Sequence, residues 1–138
     1  MPTHPNQERT QANWDATARG DYEPGIMNMA PDIVVENGPG AGPWRHLEGR
    51  DAFVEFALAF VPRFGDTWKQ DGRCVYADDR ISISLVHETG TTPAGDEFDN
   101  LAIWIGRFDT EGQNDRLWTV DIDQEACEAF WRRNPVEP

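Results

Sequence analysis

Between residues 80 and 88 the chain alternates strictly. Ile81, Ile83 and Leu85 fall on one side, and Ser82, Ser84 and Glu88 fall with Val86 on the other. That period of two is the signature of a half-buried strand. A turn at Pro93, Ala94 and Gly95 leads into a second strand over 97–108. A second turn over 109–115 leads into a third strand over 117–122, and residues 67–76 read as a strand entering this meander. Before it the pattern is helical. Residues 7–19 contain no breaker and end at Gly20, and a short helix from Asp21 or Glu23 is closed by Pro31, with Ile26, Met29 and Ala30 facing inward. Residues 32–37 form a short β-branched strand, and the Gly/Pro-rich run 38–43 is a loop. Residues 52–61 make the most apolar helix, with Phe53, Phe56 and Phe60 on one face and Val54, Leu58 and Val61 on another, so it is buried on more than one side and ends at Pro62. The last helix, 124–133, is capped by Asp123. Its apolar face is Ala126, Cys127, Phe130 and Trp131, and Arg132 and Arg133 sit at the end the helix dipole favours.

Helices followed mainly by strands define an α+β domain, with helices packed on one face of an antiparallel sheet. If that sheet curls strongly it leaves a cone whose mouth is a natural small-molecule pocket. The 138 residues make one domain, 1–138, with residues 1–5 as a loose tail. A formal charge of −13 argues against nucleic acid or an anionic membrane as partner, since both need a basic footprint. There is no apolar run of membrane-spanning length and no signal-peptide core, so a cytoplasmic protein is expected. Cys74 and Cys127 are too few for a disulfide scaffold, and His4, His46 and His87 show no metal-ligand spacing. With no glycine-rich phosphate loop either, neither metal nor nucleotide cofactor is expected.

Several short motifs, in order, resemble the nuclear-transport-factor-2-like superfamily and, more narrowly, its SnoaL-like polyketide cyclase and ketosteroid isomerase group. They are Ala18-Arg19-Gly20-Asp21, then Ala30-Pro31-Asp32-Ile33-Val34-Val35-Glu36-Asn37, then Leu47-Glu48-Gly49-Arg50-Asp51-Ala52. Gly90-Thr91-Thr92-Pro93-Ala94-Gly95, Arg107-Phe108-Asp109, Gly112, and Leu117-Trp118 running to Asp123 complete the set. The resemblance implies a cone-shaped curved sheet with N-terminal helices on its concave face, plus a C-terminal helix, and a homodimer. It implies no single activity, because the fold hosts isomerases, cyclases, dehydratases, epoxide hydrolases and non-catalytic binders. Where a ketosteroid isomerase carries its catalytic aspartate this chain has Asn37. Trp104 stands at the oxyanion-hole aspartate, and Asn13 falls near the oxyanion-hole tyrosine. An acid on the last strand, as in the cyclases and limonene-epoxide-hydrolase-like enzymes, finds its available matches in Asp121 and Asp123. Aligned on Trp118, that acid meets Val120, so Asp121 takes the role only after a one-residue slip.

Four residues are expected to carry chemistry. His87 continues the row Ile81, Ile83, Leu85, which points it to the buried side, where an imidazole is a general acid or base near neutral pH. The competing reading is a core histidine satisfied by a carbonyl or carboxylate. A hairpin turning about Ala94 pairs Thr89 with Asp99 and His87 with Leu101, which makes Asp99 a diagonal neighbour able to orient the ring. Asp121 is solvated if Trp118, Val120 and Ile122 face the core, and is a buried acid if they do not. Asn37 is a hydrogen-bond donor. Trp44 on the loop, Trp104, Trp118, Phe56 and Phe60 are expected to line the pocket, with core or dimer packing as the alternative for the tryptophans. The expectation is a small cofactor-independent enzyme doing acid–base chemistry on an apolar polyketide-, steroid- or terpenoid-like substrate. Cyclisation, isomerisation, dehydration and epoxide opening remain open. The alternative is a non-catalytic ligand-binding or dimerisation domain of the same fold.

Overall fold

The computed structural model describes residues 3–136. It is an α+β structure built on one six-stranded sheet of order β2-β1-β6-β5-β4-β3. The strands are β1 (Met29–Glu36), β2 (His46–Glu48), β3 (Lys69–Ala77), β4 (Ile81–Thr91), β5 (Glu97–Phe108) and β6 (Asn114–Asp121). The helices are α1 (Pro5–Ala18), α2 (Glu23–Met27), α3 (Arg50–Phe60) and α4 (Gln124–Arg133). All neighbouring strands run antiparallel except β1 and β6, which are parallel. The curled sheet wraps its concave face around the N-terminal helices. No described helix is long and apolar enough to cross a membrane.

The hairpin register is the one expected from a turn about Ala94, with Thr89 opposite Asp99 and His87 opposite Leu101. α4 spans the expected residues, and the Asp123 carboxylate accepts from the Ala126 amide at 3.0 Å. The chain departs from expectation near its start. Residues 1 and 2 of the expected tail lie outside the described residues, and Pro5 already opens α1. There His4 is the N-cap, accepting from the Asn6 amide through Nδ1 at 3.0 Å. Pro at the first helical position costs nothing, because its missing N–H would be unpaired anyway. Pro31 does not close α2 but lies inside β1, where the pairing with β6 shifts register between Met29 and Val34; a strand tolerates proline at such an irregularity. The run 38–43 folds into tight 3₁₀ turns, kinked at Gly42, that lead into the unanticipated strand β2.

The larger correction concerns faces. Ile81, Ile83, Leu85 and His87 point away from the helices, and Ser82, Ser84, Val86 and Glu88 point towards them. Val86 is fully buried and Ser84 nearly so. Side-chain volume decides this. Gly72 leaves room for the Trp14 ring, and a Cβ on Gly90 would stand 2.6 Å from the Phe64 ring, so the inner row is small where the helices press in. Phe60 is the hub of the resulting core. It stacks on Trp131 at 4.7 Å between centroids and meets Phe64, Trp68 and Phe98 edge-on.

Candidate active site

Between the concave face and helices α1 to α3 lies a cavity of about 310 Å³ with walls that are mostly apolar. Phe53, Phe56, Phe60, Trp68, Phe98, Trp104 and Trp131 supply its aromatic surface. Trp104 meets Trp14 edge-on at 5.1 Å and Phe53 at 6.4 Å, which fixes its ring as part of the wall.

One end of this cavity carries charge. Glu88 faces inward from β4, with Gln70 beside it on β3 and Asn100 on β5. Asp121 ends β6 opposite Ala102, one inward step from Asn100. Asn100 joins the two carboxyls. Its Nδ2 donates to Glu88 Oε1 at 3.2 Å and to Asp121 Oδ1 at 2.9 Å, and Gln70 Nε2 donates to Glu88 Oε2 at 2.9 Å. Burial pushes the Glu88 carboxyl up to about 7; the hydrogen bonds from Asn100 and Gln70 oppose this, and the nearby charge of Asp121 adds to it. Glu88 therefore takes up and releases a proton near neutral pH inside an apolar cavity. The strand-end turn brings Gly38 so close that a Cβ there would stand 2.6 Å from Asp121 Oδ2. Burial, with the charge of Asp121 adding, also holds the Cys127 thiol far above the usual range, so it is a neutral wall group rather than a nucleophile.

The residues singled out in the sequence separate into two sets. Asp121, Asn37, Trp104, Phe56 and Phe60 all line the cavity. Asn37 is braced there, its amide donating to the Trp44 carbonyl at 2.9 Å and its Oδ1 accepting from Thr119 Oγ1 at 2.9 Å. His87 and Asp99 do not line it. They pair on the outer face, Nε2 to Oδ1 at 2.7 Å, with side chains 52% and 76% exposed. The apolar row that His87 continues belongs to the convex side of the sheet, so an imidazole in that row points to solvent. Trp118 also lies outside, under the Arg116 guanidinium at 5.2 Å. Trp44 is core: it is buried behind the cavity wall against Phe56, and its Nε1 donates to the Val136 carbonyl at 2.8 Å.

Glu88, Asn100 and Gln70 escaped the sequence reading, although a signal for them existed. Across the β4–β5 hairpin, Phe98 faces Gly90 and Trp104 faces Ser84. A large residue opposite a small one, twice along one row, marks the side where rings must be accommodated. Glu88 and Asn100 share that row. Among the described residues no group of His, Cys, Asp and Glu could hold a metal ion.

No family model matches the chain, and no curated protein matches it. Solved structures do. A nuclear-transport-factor-2-like protein of unknown function from Burkholderia pseudomallei K96243 is 16% identical over 92% of this chain and 95% of its own, with TM-score 0.71. The Δ5-3-ketosteroid isomerase of a Mycobacterium species is 18% identical over 86% and 93%, with TM-score 0.63. A Mycobacterium tuberculosis protein in complex with estradiol-17beta-hemisuccinate is 13% identical over 88% and 98%, with TM-score 0.65. The chain has the nuclear-transport-factor-2-like fold that its sequence motifs resemble. At these identities the likeness defines architecture alone.

Proposed function

We propose that this protein is a small cofactor-independent enzyme that moves protons on an apolar small molecule held in the cone. The observation that carries this reading is Glu88, a carboxyl titrating near neutrality inside an apolar cavity and joined to a second carboxyl, Asp121, through one amide. Such a pair can donate a proton to a substrate oxygen from one carboxyl and withdraw a proton from carbon or water with the other. Isomerisation, cyclisation, dehydration and epoxide opening all reduce to that exchange. The aromatic walls would bind the substrate and exclude water.

The test is to assay the four reactions on neutral polycyclic and terpenoid substrates, with Glu88→Gln and Asp121→Asn as controls. Each variant is expected to lose activity by roughly 10²-fold or more, the usual contribution of a positioned acid or base, while its circular dichroism stays native. Turnover that survives both substitutions would remove the pair from the chemistry. A second reading is a ligand-binding domain without catalysis. It is favoured by Asn37 and Trp104, which stand where isomerases of this fold carry carboxylates. Tight binding of these substrates without turnover by the wild-type protein would establish that second reading.

The same proposal includes a homodimer built on the outer face. Leu101, Val120 and Ile122 are 44%, 40% and 55% exposed there, beside Ile103 and Ile105. One continuous apolar sheet face matches the centre of a self-complementary interface.

A further inference from the structure

Charge on the cavity wall is one-sided. Among the described residues that line it, Glu88 and Asp121 are the only charged side chains, and there is no lysine, arginine or histidine. Helices α1 to α4 contribute only neutral groups to the lining. The side-chain amides of Gln70 and Asn100 that hold the pair are neutral too. Neither carboxyl belongs to an ion pair among the described residues. His87, next to Glu88 in the chain, points to the opposite face of the sheet and pairs with Asp99 there.

Aromatic rings stand beside this pair. Trp68 and Phe98 line the cavity two residues before Gln70 and Asn100, one inward step along the neighbouring strands. Their rings stack at 6.1 Å between centroids. Where the cavity meets solvent its groups are apolar instead. Tyr22 and Leu58 line it and are 39% and 69% exposed, with Ile26 and Val54 one helical turn from each. Negative charge is thus confined to the interior, behind an apolar rim. A buried charge is costly unless it is paired. These carboxyls have no cationic partner on the cavity wall, and burial accordingly raises Glu88 to about 7. A positively charged ligand supplies the missing partner, and aromatic faces attract the same charge. The formal charge of −13 draws cations to the molecule and repels anions.

We propose that the cavity takes a cationic amphiphile, with an ammonium group held by the Glu88 and Asp121 carboxylates beside the aromatic rings and an apolar body reaching towards Tyr22 and Leu58. The inference rests on the proposed function for its cavity and its pair of carboxyls, and it names a protonated or quaternary amine as the substrate class. The two groups that move protons are then also the groups that select the ligand, by its charge.

The test compares 3-(trimethylammonio)benzyl alcohol with 3-tert-butylbenzyl alcohol, which differ by one nitrogen for carbon and so in charge but not in shape. Both are titrated by intrinsic tryptophan fluorescence in about 0.3 M salt, where attraction to the acidic surface is screened. Wild-type protein is expected to bind the cation about tenfold more tightly, the order of a partly desolvated contact between a cation and its partners. The Glu88→Gln/Asp121→Asn double variant keeps the shape of the site and loses both charges. There the cation should lose its advantage while the neutral probe binds as before, which shows the cavity intact. Equal affinities in the wild type, tighter binding of the neutral probe, or a cation preference that survives in the double variant would overturn the inference. Failure of both probes to bind the folded wild type would overturn it too. Turnover of neutral substrates that depends on Glu88, without any cation preference, would overturn this inference and leave the acid–base reading intact. Cation preference without turnover of any substrate would remove the catalytic reading and leave the ligand class standing.

Discussion

Glu88 links the chemistry of the cavity to the stability of the fold. Its carboxyl is raised from 4.5 in the unfolded chain to about 7 in the folded one, chiefly by burial. A raised carboxyl binds its proton more tightly when folded, so its contribution is complete below about pH 4.5 and is lost as pH rises through about 7. At about 1.36 kcal/mol per pH unit, the loss across that window is on the order of 3 kcal/mol. Glu88→Gln cannot titrate, so urea melts of the two proteins should diverge between pH 5 and 8, the wild type losing stability relative to the variant. Parallel curves would mean that Glu88 is already ionised in the folded state. His87 provides the contrast. Its pair with Asp99 is exposed, and such pairs contribute about 0.2–1 kcal/mol at most. His87→Ala should leave the urea midpoint nearly unchanged and any turnover intact. A large loss of activity would return His87 to the site. The sequence led to His87 because an imidazole is the conspicuous acid–base group near neutral pH. It concealed Glu88 because a glutamate in a strand ordinarily faces solvent, and only its neighbours make it otherwise.

At the scale of elements, the strands, the hairpin register and α4 were legible because period-two alternation, turn residues and a capping aspartate are local signals. Which face of the sheet looks inward was not legible from hydropathy. β5 has apolar residues on both sides, and the apolar row of β4 belongs to the convex side, so hydropathy favoured the wrong face. The missing information lay in volumes: Gly72 beneath Trp14 and Gly90 beneath Phe64. Gly72→Ala should therefore be among the most damaging single-methyl additions in the sheet. Overpacking of this kind costs typically about 1–3 kcal/mol, read as a fall in the urea midpoint. A midpoint equal to the wild type would show that Trp14 moves aside freely. The parallel β1–β6 pair and strand β2 were equally hidden, since neither leaves a trace in the periodicity of its own residues.

Over the whole molecule the outer sheet face and the acidic surface act in opposite directions. The apolar convex face favours self-association, while a formal charge of −13 opposes it through mutual repulsion. Leu101→Glu together with Val120→Glu should convert a dimer to a monomer by size-exclusion chromatography with light scattering. Added salt should tighten the proposed dimer by screening the repulsion. A monomeric wild type at all concentrations and salts would remove the interface.

The parallel pairing of β1 with β6 has a consequence in time. Val34, Val35 and Glu36 join Arg116, Leu117 and Trp118, partners separated by most of the chain. Every other strand pair closes across a local connection, so β3, β4, β5 and β6 can assemble by successive neighbours while β1 and β2 wait. Loop closure over such a separation carries an entropic penalty before any contact repays it, which places this step late and slow. Because Asn37 and Gly38 follow β1 directly, the wall beside Asp121 is complete only when that last seam closes. The acid end of the cavity is therefore among the final parts of the protein to form during folding, and substitutions in the β1–β6 seam should slow its appearance more than that of the hairpins.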